Sequence, residues 1–263
     1  MSSVVPPGLQ GMTNTMLTGK NAVVYGGAGS MGGAVARAFA EAGAHVFLAG
    51  RTAAALDAVA AEIRAAGGAA ETAVVDALDQ AAVEAHADEV VRSSGSLDVS
   101  FNAISLDPVQ NVPLVDLALD DFMTPVTRAA RTHFITATAA ARRMTAQGAG
   151  VILMLSSSAA YESRHRMGGF NLACASIEAF TRSLAGEVGR AGVRVVCLRP
   201  NFTPETAPTR LSEDDLEPLI RDTRLGRLPT LDEVGRSAVF LASDGAGAMT
   251  GAVLNLTCGA IVD

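Results

Sequence analysis

Short apolar runs alternate along this chain with longer stretches in which apolar residues return every three or four positions. Ala22–Val24, His45–Ala49, Thr72–Val75, Leu97–Asn102, Val151–Leu155, Val193–Leu198 and Ala252–Leu256 are the short runs, and each predicts a buried strand. Between them, Met31, Val35 and Phe39 predict one amphipathic helix, Leu56, Val59 and Ile63 a second, and Val83, Val90 and Val91 a third. Thr52 and Asp79 stand where N-caps belong, and Gly43, Gly67, Gly68 and Gly192 stand where helices stop. Two further helical stretches run from about Asp120 to Gln147 and from Phe170 to Arg190. Strands alternating with helices imply right-handed βαβ units. The expected architecture is a single α/β domain, a doubly wound parallel sheet of about seven strands.

The first sixteen residues, with Pro6, Pro7, Gly8 and Gly11, predict a loosely ordered tail, which leaves residues 17–263 for the domain. Residues 201–228 are rich in Pro, Thr and charge, with two short helical patterns, and predict a lid over a ligand-binding rim. Neither an internal repeat nor an interdomain linker interrupts the chain.

Composition narrows the function classes. The 263 residues are 49% hydrophobic, but no run is long and apolar enough to cross a membrane. No secretory pattern opens the sequence, so a cytoplasmic location is expected. A net charge of −7, 4% aromatics and the lack of a basic stripe argue against nucleic acid and leave a small-molecule substrate as the expected partner. Cys174, Cys197 and Cys258 are odd in number and widely spaced, which indicates neither a disulfide framework nor a zinc site.

Candidate chemistry begins at Asn21–Gly33. A strand ends at Tyr25, a turn of Gly26, Gly27, Ala28 and Gly29 follows, and a helix starts near Ser30, Met31 and Gly32. Free backbone N–H groups and the positive helix end then face one point, which is a phosphate cradle. In parallel sheets ligands lie beyond the carboxyl ends of the strands. That places the turn, Gly50-Arg51, Asp76, Asn102, Ser156–Ser158 and the residues after Pro200 along one rim.

Taken together, these residues resemble the short-chain dehydrogenase/reductase family from about Leu17 onward, which implies a Rossmann-type sheet. Tyr25–Gly32 is similar to the family's Thr-Gly-x-x-x-Gly-x-Gly turn, and Asp76 to its adenine-side Asp. Asn102-Ala103-Ile104-Ser105 stands for its Asn-Asn-Ala-Gly, and Ile152–Ser157 matches the strand that delivers its catalytic Ser. Phe240–Asp244 and Thr250-Gly251 resemble a signature near the family's C-terminus. The resemblance implies cofactor contacts at Gly26, Ala28, Ser30, Met31, Gly32, Arg51, Thr52, Asp76, Ala77, Asn102, Ala103, Pro200 and Thr203. It also implies a homo-oligomer, most readily a tetramer, built on the two long helices and the run Thr250–Ala260. At the end of the second strand an NAD-selective site would carry a carboxylate, whereas Gly50 and Arg51 stand here. A guanidinium suits a 2′-phosphate, so NADP(H) is the expected cofactor.

The catalytic positions depart from the pattern. Thirteen residues past Ser157, where the family has Tyr, stands Phe170; four further on, where it has Lys, stands Cys174. The helix Asn of the family falls at Ala129. Lys20 is the one lysine in the chain and precedes the first strand. Ser157 therefore remains without its partners, and Tyr161 and His165, in the loop before Phe170, are the candidate replacements. Tyr25 is expected to fill space near the cofactor. Three readings follow: an atypical NADP(H)-dependent oxidoreductase, a dinucleotide-binding sensor or partner subunit without turnover, and a non-redox lyase, isomerase or cyclase using the same pocket.

Overall fold

Seven parallel strands lie in the order β3-β2-β1-β4-β5-β6-β7. They are β1 (Asn21–Tyr25), β2 (His45–Gly50), β3 (Ala69–Val74), β4 (Val99–Asn102), β5 (Gly150–Leu155), β6 (Val193–Pro200) and β7 (Val253–Leu256). The computed structural model describes residues 16–161, 166–207 and 211–262. The helices are α1 (Ser30–Glu41), α2 (Ala53–Ala65), α3 (Gln80–Ser94), α4 (Leu119–Gln147), α5 (Phe170–Val188), α6 (Glu213–Arg221) and α7 (Leu231–Ala242). Among the described residues no helix is long and apolar enough to cross a membrane.

The strands read as continuous apolar runs because both sheet faces are covered. Ala22 and Val24 of β1, Val46 and Leu48 of β2 and Val151 and Leu153 of β5 enter a core with Val35, Phe39, Leu56 and Val234, from α1, α2 and α7. Their neighbours Val23, Phe47, Ile152 and Met154 enter a second core with Val83, Ala140 and Ile177, from α3, α4 and α5. Period-two alternation thus splits each strand between two helical layers. The strand order reverses between β1, which leads outward to β2, and β4, which leads the other way. At that switch point a crevice opens outside the carboxyl ends of the strands.

Several boundaries differ from expectation. β3 begins at Ala69, three residues before Thr72, because Arg64 Nη2 donates to the carbonyl of Ala70 at 2.7 Å and helps anchor the strand's start. β6 continues to Pro200 through pairing with β7, a register in which Arg199 faces Asn255. Thr52 occupies the N-cap of α2 but its side chain makes no capping bond, whereas Asp79 accepts from the amide of Ala82. Val91 is only partly buried. The residues from Gly189 to Ala191 form a 3-10 turn rather than the end of α5. The final helix, α7, has no counterpart in the expected elements. Its signal was local: Thr230 and Glu233 form a capping box.

Candidate functional site

Backbone crowding explains the glycines of the turn after β1. Gly26 has φ +78°, and a Cβ there would stand 2.6 Å from the carbonyl oxygen of Ala103. A Cβ at Gly32 would stand 2.2 Å from the carbonyl oxygen of Gly26. The turn therefore closes directly on the start of α1 and on the loop after β4. Gly29, the N-cap of α1, offers no side-chain cap, and the first turn contains no acidic residue. The leading amides of the helix, Ser30 to Gly32, are left for an external acceptor. An anion is the acceptor they favour, since the helix dipole adds to the N–H groups.

Beside the turn lies a cleft of about 350 Å³. Gly26, Ala28, Arg51, Thr52, Asp76, Ala77 and Ala103 line it, together with Val75, Leu78, Ile104, Ser105, Arg128 and Thr132. Arg51 is exposed and makes no ion pair among the described residues. Asp76 Oδ1 accepts from the amide of Leu78 at 2.9 Å. Asn102 is buried and sits behind the wall: its Nδ2 donates to Thr136 Oγ1 at 2.9 Å, and its Oδ1 accepts from the amide of Ile104 at 3.0 Å. It shapes the loop rather than facing the cleft. The uncapped helix start, the glycines that a Cβ would displace, and the exposed Arg51 guanidinium at the rim fit a phosphate-bearing dinucleotide.

A second cavity, of about 760 Å³, lies where Met31 of α1, the ends of β5 and β6, and α6 converge. Met31, Pro200 and Thr203 therefore line this cavity, not the cleft beside the turn. Ser30 and Gly32 line neither. Around the second cavity stand Leu155, Met167, Phe170, Phe202, Leu211, Pro218 and Leu219, with Ser156, Ser157, Ser158, Gln110, Asn111, Asn201, Thr206 and Asp215.

The hydroxyls of this cavity are not equivalent. Ser156 donates to Glu178 Oε1 at 2.8 Å, and Ser158 to Asn201 Oδ1 at 3.1 Å. Thr203 donates to the carbonyl of Asn201 at 3.2 Å, and Thr206 to that of Thr203 at 2.7 Å. Ser157 Oγ instead accepts, from the amide of Ala159 at 3.3 Å. Its hydrogen is the one hydroxyl hydrogen of the described lining that no protein acceptor takes. Phe170 stands in the same cavity and brings no proton. Cys174 is buried, and burial drives its thiol well above the ordinary range, with Cys197 and Glu178 adding to the effect. Cys197 is likewise pushed up to about 12 by burial. Neither thiol is poised as a nucleophile or an acid near neutral pH.

Tyr161 is exposed and lies outside the cavity lining; its ring sits 4.3 Å from the guanidinium carbon of Arg199. His165 falls outside the described residues. Tyr25 does not fill space at the cleft: it ends β1 with its side chain in the core, edge-on to His86 at 6.0 Å, and burial raises its phenol far above the usual value. The buried pair Glu178 and Arg199 escaped the sequence reading. A signal existed, since Arg199 interrupts the apolar run of β6 and Glu178 falls one turn past Cys174 on an otherwise apolar face. A charge in such a place requires a partner.

The family model described as enoyl-(acyl carrier protein) reductase matches residues 26–260, and the chain belongs to this family of short-chain dehydrogenases/reductases. The cis-4-hydroxycyclohexanecarboxylate dehydrogenase of Sinomonas cyclohexanicum is 32% identical over 234 residues, 89% of this chain and 93% of that protein. The D-threitol dehydrogenase of Mycolicibacterium smegmatis is 30% identical over 242 residues, 90% of this chain and 91% of that one. Among solved structures, a gluconate 5-dehydrogenase of Burkholderia cenocepacia in complex with NADP and tartrate superposes with a TM-score of 0.86 at 26% identity, covering 95% of this chain and 98% of that one. The protein is an oxidoreductase of the short-chain type, from a family that binds nicotinamide dinucleotides and acts on small organic substrates.

Proposed function

We propose that this chain is an NADP(H)-dependent reductase for substrates whose reduction does not need a strong protein acid, such as activated alkenes or iminium ions. The uncommitted hydroxyl hydrogen of Ser157, beside Phe170 in a largely apolar cavity, carries the reading. A bound dinucleotide supplies a hydride. The amides of Ser30 to Gly32 hold its phosphates, and Arg51 meets the 2′-phosphate. For an activated alkene conjugated to a carbonyl, Ser157 donates a hydrogen bond to the carbonyl oxygen and stabilises the enolate charge that develops there. With no phenol at Phe170 and no ammonium at Cys174, the enolate formed from an activated alkene takes its carbon proton from solvent as the site opens, whereas an iminium ion becomes the neutral amine by hydride addition alone. Ordinary ketone reduction on this site lacks a general acid, a contribution of about 10²- to 10⁴-fold.

Leu211, Asp215, Pro218 and Leu219 close one side of the cavity, which supports residues 201–228 as its lid. An apolar hollow of about 430 Å³ on α4 and α5, lined by Ala129, Phe134, Ile177 and Phe180, supports assembly into a homo-oligomer through those helices, with a tetramer as the expected state. Light scattering at micromolar concentration tests the assembly. The function is tested by titrating the chain with NADPH, then assaying oxidation of NADPH against matched ketones, enones and cyclic imines. Turnover of enones or imines with none of the ketones supports it. Tight binding without any turnover would leave a dinucleotide sensor in its place.

A further inference from the structure

Asp215 is the one charged residue among the described residues that line the cavity of Ser157. It stands in the first turn of α6, where its Oδ2 accepts from the amide of Ser212 at 3.0 Å and from the Ser212 hydroxyl at 2.6 Å. Those bonds hold the carboxyl below its ordinary range, so it is ionised at neutral pH. Capping engages one carboxylate oxygen only. Oδ1 accepts no hydrogen bond among the described residues and is left for a ligand.

The surroundings favour the same sign of ligand. Phe170 and Phe202 in the lining carry π-systems, which attract a cation and give an anion nothing. One turn past Phe170, Cys174 is buried and keeps its proton. The buried Arg199 is neutralised by Glu178. An anionic substrate would therefore meet a negative charge and no counter-charge in the described lining. We propose that the cavity takes an iminium cation on an apolar framework, with Asp215 as its counter-charge and specificity determinant. This assignment rests on the reading of the chain as a reductase and narrows its substrate class. The reaction balances without a protein acid. The iminium carbon accepts a hydride from the reduced dinucleotide, which is oxidised; the C=N π pair becomes the nitrogen lone pair, and no proton moves. Positive charge on the substrate is lost on the way, so Asp215 favours bound substrate over the transition state and acts on KM rather than kcat.

Calorimetry on the intact chain in excess oxidised NADP, which delivers no hydride, compares two probes. One is N-methyl-dihydroisoquinolinium, an iminium of fixed charge, and the other is the neutral ketone tetralone. Asp215→Asn keeps an oxygen for the Ser212 amide and removes the charge. It is expected to weaken the iminium about three- to fivefold and tetralone by under about twofold, with the contrast shrinking at high salt. Asp215→Glu is expected to keep most of the affinity. Asp214→Asn removes a neighbouring charge outside the lining and is expected to change little. With NADPH in place of the oxidised form, Asp215→Asn should raise the KM for the iminium by the same factor without lowering kcat. Equal weakening of both probes, an iminium indifferent to Asp215→Asn, or an equal loss in Asp214→Asn would overturn the proposal. Turnover of enones by a wild type that neither binds nor reduces the iminium would overturn it alone and leave the reductase reading in place. Asp215-dependent binding of the iminium without its reduction would uphold the cation site and overturn the reductase reading.

Discussion

Glu178 holds Arg199 at two points, Nε to Oε1 at 2.7 Å and Nη2 to Oε2 at 2.9 Å, with both side chains almost wholly buried. The pair ties α5 to β6 directly behind the Ser156–Ser158 turn. Ser156 gives its hydroxyl hydrogen to the same Glu178 oxygen, and Tyr161 covers the outer face of the guanidinium. The turn that presents Ser157 is therefore backed by a charged network rather than by apolar packing.

Removing one partner strands a buried charge. Arg199→Met is expected to cost about 3–5 kcal/mol in urea unfolding, and Glu178→Leu a similar amount. The double variant Glu178→Leu/Arg199→Met is expected to lose much less than the two single changes added together, because no unpaired charge remains. Additive losses would mean that the two groups act independently of each other.

Arg51 is expected to choose the cofactor. Arg51→Ala should weaken NADPH by about 1.5–3 kcal/mol, the range for a hydrogen bond to a charged group, and leave NADH nearly unchanged. Calorimetry with both cofactors checks this, and equal weakening would assign Arg51 to the fold of the rim.

Much of this was legible along the chain because local rules decided it. The β1 run, the glycines and α1 announce the cradle, since a tight turn leaves few alternatives to Gly26 and Gly32. The same holds for Arg51 at the end of β2. Legibility fails where residues distant in sequence meet. Glu178 and Arg199 are twenty-one positions apart, and each alone reads as an anomaly. The ion pair of Arg128 with Asp107 depends on a left-handed residue in a loop with no periodicity. Tyr25 was misplaced because it closes the strand beside a glycine turn, where only the sheet's twist and pleat decide which face receives the ring.

Acid should weaken the fold through His133. The imidazole is buried on α4 without a partner for Nδ1 among the described residues, and burial lowers its pKa from 6.5 to about 4. Between those values the unfolded chain binds a proton that the folded chain refuses, so stability rises with pH across the window and falls as acid is added. The full effect is on the order of 3 kcal/mol. Denaturant unfolding of the wild type and of His133→Leu at several pH values from 4 to 7 measures it. The variant should show a shallower acid slope in this window, and parallel curves would remove His133 from the account.

The catalytic positions give the most exposed expectation. Phe170 stands in the cavity beside Ser157, and Cys174 lies one turn further along α5, buried and with its thiol raised by desolvation. Neither moves a proton at neutral pH, and the wild type should reduce simple ketones and aldehydes negligibly with NADPH. Phe170→Tyr places a phenol within the cavity but leaves it near its ordinary pKa of about 10, since no cation stands at Cys174. Cys174→Lys alone brings a charge with no acid to tune. Its burial cost is moderated because Glu178 lies one turn away on the same helix. Both changes together should raise ketone reduction by more than the two single effects combined, because phenol and ammonium act as one proton-transfer unit. Steady-state assays on the four proteins with a cyclic ketone decide the matter. Ready ketone reduction by the wild type, indifferent to Tyr161→Phe and His165→Ala, would sink this account of the site.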